Sequence, residues 1–228
     1  MNETADLTAD TVLGILDKSR VDAPTERGRV TRSKLMAAAE VCFAQTGFDG
    51  TTVAGITARA GVSHGNFYRH FTGKDAILIA VVADLYGDLR QASGGGGAVT
   101  KPTLDGLVQR NTAFFHNYAE RRHLFRVTRE AAARPEADLF RTMWLSVRGL
   151  FIERSNRWIL QCQTQGHVGA ALDAGATAAA LGAMTEQMAY LELGLPKAEP
   201  TDALIEQLGY TSGLIWFNTL AGGDGRQA

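Results

Sequence analysis

Apolar residues along this chain recur at intervals of three and four, and no sustained apolar/polar alternation marks a strand. Leu35, Ala38, Ala39, Cys42 and Phe43 share one face and predict a first helix over about 32–45, closed by Gly47 as a left-handed C-terminal residue. Thr51 and Thr52 offer an N-cap to a short helix over about 53–60 that buries Ile56 and Ala60. Gly61 and Val62 predict a tight turn. Ser63 then caps a third helix over about 64–70, burying Phe67 and Phe71. Thr72 and Asp75 have capping-box spacing before a long fourth helix, whose stripe is Ile77, Leu78, Val81, Val82, Leu85 and Leu89. The glycine run 94–97 breaks the chain. Further helices read over about 103–121, 123–133, 135–165, 174–195 and 201–220. Pro135 suits a helix start, and Pro196 and Pro200 separate the last two helices. The sum is an all-α chain of about nine helices without internal repeat. Residues 1–26 read as a loose tail with one short helix around Val12, Leu13 and Leu16.

Composition narrows the class. A chain of 228 residues, 45% hydrophobic and 21% charged, buries a sizeable core and is not a disordered polyelectrolyte. No apolar run reaches the ~20 residues that span a bilayer, and the N-terminus lacks the features of a secretory signal. Two cysteines, Cys42 and Cys162, are too few for a disulfide framework, and a reducing cytoplasm is the expected location. The net charge of −1 argues against a nucleic-acid partner only if the charge is evenly spread, and it is not. Residues 27–74 hold seven Arg and Lys against two acids, a net +5, with His64 and His70 besides; the remainder carries −6. A basic segment on an acidic body is the charge pattern of a DNA reader, although a solvated basic face gives the same count.

The short helices of residues 52–71 joined at Gly61 fit a helix-turn-helix. Ile56, Val62 and Phe67 lock the two helices, while His64, Asn66, Tyr68 and Arg69 face away from Phe67 and Phe71, as a helix entering a major groove requires. The run from Ile56 to Ser63 (Ile-Thr-Ala-Arg-Ala-Gly-Val-Ser), then Phe67-Tyr68-Arg69-His70-Phe71 and Lys74-Asp75-Ala76-Ile77-Leu78, closely resembles the DNA-binding domain of TetR-type transcriptional regulators over about residues 30–80. Thr57 departs from the alanine usual in that family, and is small enough to fit. The resemblance implies a tail over 1–26, a helix-turn-helix domain over 27–76, and a helical ligand-binding and dimerisation domain over 77–228. It implies that Thr52 meets a phosphate at a helix start, that Tyr68 and His70 clamp the backbone, and that Lys74 is a phosphate point charge. Ser63, His64, Gly65 and Asn66 form the reading tip: Asn66 suits an adenine edge, His64 a guanine, and Gly65 allows close approach. Arg69 reaches phosphate or base. Arg27, Arg29 and Arg32, ahead of the first helix, suit an arm at phosphate or minor groove. Taken singly, Tyr68 is equally a surface aromatic and each histidine a solvated one.

Two C-terminal stripes, Leu181, Met184, Met188, Leu191 and Leu195, then Leu204, Leu208, Thr211 and Ile215, have helix-packing spacings. Some of these residues must be ordinary core. The resemblance implies that the pair meets its two-fold mate as a four-helix bundle, with Leu181, Leu191, Leu195, Leu204, Leu208, Thr211 and Ile215 at the interface. Two reading heads then sit about one DNA turn (~34 Å) apart on a palindromic operator of double-stranded DNA. The middle helices are aromatic, which usually means core. The resemblance implies an inducer pocket there, lined by Phe114, Tyr118, Phe125, Met143, Trp144, Val147, Phe151, Met184 and Met188. Asn111 and Thr185 serve as polar anchors and Trp216 closes the site, for a small, largely apolar effector. No catalytic residue, metal site or cofactor is expected. His116, His123 and His167 lack metal-binding spacing, no nucleophile elbow exists, and the glycine run is not a phosphate loop. The expected function is a ligand-responsive DNA-binding regulator, most simply a repressor released by its effector. An activator of the same fold, or a helical small-molecule-binding protein or enzyme with a vestigial turn motif, are the alternatives.

Overall fold

The computed structural model describes residues 25–92, 101–134 and 138–222, with the side chains of 85–92, 138, 139, 143, 146 and 147 outside that description. The expected tail helix near Val12, the 94–97 glycine run, Pro135 at a helix start, and the side chains of Leu85, Leu89, Met143 and Val147 lie outside it. The described elements are all helical: α1 Glu26–Gly50, α2 Val53–Ala60, α3 His64–Phe67, α4 Lys74–Ala92, α5 Leu104–Glu120, α6 Arg122–Ala132, α7 Asp138–Thr164, α8 Ala174–Ala189, a π-helical turn Tyr190–Gly194, and α9 Asp202–Ala221. No helix among the described residues is long and apolar enough to cross a membrane. The chain forms two compact units, one from residues 1–95 with 126–147, the other from 96–125 with 148–228.

In the first unit α1 opens at Glu26, about six residues before the expected start near Arg32. The Thr25 hydroxyl accepts from the Gly28 amide at 3.2 Å and Glu26 pairs with Arg29, so polar residues alone close the first turn. Leu35, Ala38, Ala39, Phe43 and Phe48 form the buried face, while Cys42 is only half-buried. Gly47 breaks the helical run with φ 68°, as expected of a helix-ending glycine. The chain turns once more to Gly50, and the buried Thr51 hydroxyl donates to the Gly47 carbonyl at 2.6 Å. α4 opens with the Gly73 carbonyl accepting from Ile77, one residue later than a Thr72 cap requires. Its expected single stripe is a full cylinder: every residue from Ile77 to Ala83 is buried. A helix buried all round needs no polar face, so periodicity there carried little information.

Two cations converge on one ring in this unit. Arg134 lies 4.0 Å and the Lys74 ammonium 4.3 Å from the centroid of Phe48. Arg134 also donates to Asp75 at 3.2 Å, and Phe48 meets Phe140 edge-on.

The second unit is organised by close approach of α5 and α9. Gly209 and Gly213, one turn apart on α9, leave no room for a Cβ. One built at Gly213 falls 2.7 Å from the Val108 Cα, and one at Gly209 falls 2.0 Å from the Thr112 hydroxyl. Beside this contact runs a buried polar relay. Trp216 Nε1 donates to the Thr185 hydroxyl at 3.1 Å, and Thr185 lies 3.1 Å from the Ser212 hydroxyl. Ser212 donates to Asn111 Oδ1 at 2.8 Å, and Asn111 Nδ2 donates to the Leu107 carbonyl at 2.8 Å. The relay ties α5, α8 and α9 together with every side chain satisfied. Two apolar clusters flank it, one around Leu107, Ile159, Cys162, Ala178 and Leu181, the other around Phe115, Tyr118, Leu193, Ile205 and Leu208.

Candidate nucleic-acid interface

The turn between α2 and α3 is built from caps. The Thr52 hydroxyl accepts from Gly55 at 3.1 Å and the Ser63 hydroxyl from Asn66 at 3.3 Å. Gly61 takes φ 64°, ψ 35°, the left-handed conformation a non-glycine residue rarely adopts, and the next amide, Val62, donates to the Thr57 carbonyl at 3.0 Å. Thr57 fits buried because its hydroxyl donates to its own helix, at the Ala54 carbonyl. Ile56 and Phe67 are fully buried, locking the pair; Ala60, expected in the core, is half-buried at the turn.

The recognition helix is shorter than expected. α3 ends at Phe67, and Tyr68 to His70 form turns that swing Phe71 into the core. His64, Gly65 and Arg69 are exposed, and so is Tyr68, at 57%. Nothing lies within 4 Å of a Cβ built on Gly65. Ser63 is exposed, and its hydroxyl, accepting in the cap, keeps its own O–H to donate. Thr52 is exposed at the start of α2, its hydroxyl likewise accepting in the cap. His70 is half-buried, and its pKa is held below the ordinary histidine value by burial first and then by the Arg32 and Arg69 charges. Its ring is therefore neutral at physiological pH, able to donate and to accept one hydrogen bond.

The expected basic arm is different. Arg27, Arg29 and Arg32 lie on α1 itself, not ahead of it. Arg29 is paired with Glu26, and Arg32 lies over the Phe71 ring at 4.9 Å, half-buried. Lys74, expected as a phosphate contact, donates inward to the Phe48 carbonyl at 2.7 Å. There it shares with the Thr51 amide a carbonyl in the last turn of α1, a favourable place for a cation. The residues the sequence reading passed over are Lys34 and, as a helical residue, Arg27. With Thr31 they sit at i, i+4 and i+7 on one face of α1. Together with Glu26 and Val30 they form one wall of a groove of about 590 Å³ whose other wall is Ala60, Gly61, Val62, Ser63 and Asn66. The i, i+4, i+7 spacing was the available signal.

Residues 35–81 match the sequence profile of bacterial regulatory proteins of the tetR family. Over 91 residues the chain is 35% identical to the HTH-type transcriptional repressor KstR2 of Rhodococcus jostii, an alignment covering 38% of this chain and 43% of that protein. The chain thus spans less than half the length of the curated relative it matches. The described fold is similar to that of Salmonella enterica GusR, with a TM-score of 0.70, 20% identity, and coverage of 88% of this chain and 100% of that one. It is also similar to SmeT in a triclosan complex, with a TM-score of 0.65, 22% identity, and coverage of 85% and 91%. The match to the tetR family thus rests on residues 35–81, the helix-turn-helix region, and the rest of the chain is similar to these proteins in fold.

Other expected TetR-type sites fare unevenly. Phe114, Tyr118, Phe125 and Met188 gather in one cluster of the second unit, where the Tyr118 and Phe125 rings stack at 4.4 Å. Met184 packs on the other cluster, to which the buried Trp216 belongs. Phe151 is exposed, and Trp144 is half-buried in the first unit. Asn111 and Thr185 are not free anchors, because their polar atoms are engaged with each other's neighbours in the relay. Of the expected interface, Leu181 and Leu208 are intrachain core and Leu204 is half-buried against it. Leu191, Leu195, Thr211 and Ile215 are exposed. Cys162 is buried and its thiol is pushed up by burial, which keeps it protonated and unsuited to redox sensing.

Proposed function

We propose that this chain is a DNA-binding transcriptional regulator, a repressor, that reads a palindromic operator as a dimer. The observation that carries the reading is the set of exposed His64, Gly65 and Tyr68 with half-buried Asn66, on a turn fixed by Gly61 and two hydroxyl caps. Its charge supports it, because Arg27 and Lys34 flank the reading tip on the groove wall. The test is binding to a duplex from the protein's own upstream region across a salt series. A steep negative dependence on salt, with loss on Tyr68→Ala, is the expected result; equal affinity for unrelated duplexes refutes operator reading.

The dimer face in this reading is the exposed apolar set Leu191, Leu195 and Ile215, with Thr211 and Tyr210 beside it. The effector, a small and largely apolar molecule, is assigned to the aromatic cluster of Phe114, Tyr118 and Phe125 with Met188, whose adaptable thioether suits a variable guest. That SmeT is known in a triclosan complex supports a small-molecule effector here. A panel of apolar compounds read by thermal shift tests it. A binder that leaves operator affinity unchanged refutes effector control, whereas coupling of ~1–3 kcal/mol changes that affinity about 5–150-fold.

A further inference from the structure

A local irregularity turns Leu195 outward, beside Leu191. In a regular helix, Leu181, Met184, Met188, Leu191 and Leu195 fall on one stripe. The π turn at Tyr190–Gly194, closed by Leu195 N–H donating to the Tyr190 carbonyl at 2.9 Å, shifts the phase. Leu193 is consequently buried and Leu195 is 45% exposed, while Leu191, 47% exposed, already lies off the face that buries Ala178, Leu181 and Ala189.

Beyond the turn the backbone carbonyls have no helical partner. Arg122, the first residue of α6, supplies one. The two N–H groups of its Nη1 are shared among the carbonyls of Leu193 at 3.2 Å, Pro196 at 2.8 Å and Ala198 at 2.8 Å. Its Nη2 donates to the Lys197 carbonyl at 3.3 Å and to Glu199 Oε1 at 2.9 Å. The Arg122 side chain is 13% exposed, whereas Glu199 is 87% exposed, so the main attachment is to backbone rather than to the surface ion pair. The fixed fork of a guanidinium suits this many carbonyls; a lysine ammonium, with three donors on a flexible stem, does not. The turn is also seated sterically, since a Cβ on Gly194 falls 3.1 Å from the Tyr118 hydroxyl.

We propose that Arg122 is the positioning residue of the self-association face, setting the phase in which Leu191 and Leu195 meet a second copy of this chain. The inference rests on the dimer reading above. Arg122 acts through the turn and makes no contact with the partner itself.

The test compares the full-length wild type with Arg122→Ala, Arg122→Lys, Glu199→Ala and Leu191→Asp by sedimentation equilibrium and amide exchange. Arg122→Ala is expected to raise the dimer Kd at least tenfold and to accelerate exchange only within about 190–200, with helix content retained. Arg122→Lys falls between it and the wild type, Glu199→Ala stays within twofold, and Leu191→Asp is monomeric. If Arg122→Ala loses helix content, Arg122→Lys decides by the same two readouts. An unchanged Kd despite faster exchange makes the arginine merely structural and overturns the inference alone. A wild type that is monomeric at every concentration overturns the dimer reading, and the inference with it.

Discussion

Replacing Gly213 with alanine places a methyl group where α5 already is. The new carbon falls 2.7 Å from the Val108 Cα and 2.8 Å from its amide nitrogen, against an ordinary contact of 3.4 Å or more. Both are backbone atoms, so no side-chain rotation relieves the clash, and α5 and α9 must part by about 0.7 Å or more. Overpacking of this kind costs ~1–3 kcal/mol. Parting the helices also stretches the 2.8 Å bond from Ser212 to Asn111, and such a bond contributes about 1 kcal/mol. The greater helix propensity of alanine offsets about 1 kcal/mol. The expected net loss is ~1–3 kcal/mol, or roughly 2–12 °C in Tm for a chain of this size. Urea unfolding followed by the fluorescence of the buried Trp216, alongside Trp144 and Trp158, measures it. Gly65→Ala is the control: with open space around its Cβ it is neutral or slightly stabilising. A Gly213→Ala protein with an unchanged or higher midpoint refutes the close-packing argument.

Arg27→Ala and Lys34→Ala should each lower the salt slope of duplex binding by about 1, equally for any sequence, while Arg29→Ala and Arg32→Ala change it less; fluorescence anisotropy at several salt concentrations measures this. Thr185→Val removes the acceptor of the Trp216 N–H and a neighbour of Ser212, and is expected to cost ~1–3 kcal/mol in chemical unfolding, with Thr185→Ser recovering most of it. Because the His70 pKa is depressed in the fold, the neutral ring is the favoured form. Its stabilising contribution is complete above the ordinary histidine pKa and is lost as pH falls through the lowered one. Urea midpoints between pH 8 and 5 should therefore drop less for His70→Asn than for the wild type.

The helix-turn-helix was legible because each step has a local cause: Thr52 and Ser63 cap, Gly61 turns left-handed, and Ile56 and Phe67 point inward by helical spacing. The number and order of helices followed from the same periodicity and from glycine and proline punctuation. The start of α1 was missed because Thr25, Glu26 and Arg29 build it without any apolar residue. Partners at long range were invisible in one dimension. Arg32 is occupied by Phe71 and Lys74 by the Phe48 carbonyl, which leaves Arg27 and Lys34 on the groove wall instead. A leucine stripe also cannot announce its own interruption. The π turn, held by an arginine some 70 residues earlier in the chain, turns Leu195 outward and Leu193 into the core.

Local spacing and capping chemistry, which act within a few residues, were determined by the sequence alone: an all-helical chain with a helix-turn-helix near its start. Tertiary structure decided which polar groups are already spent. A buried hydroxyl, amide or guanidinium must find a partner wherever the fold supplies one, and for Asn111, Thr185 and Arg122 that partner lies on another helix.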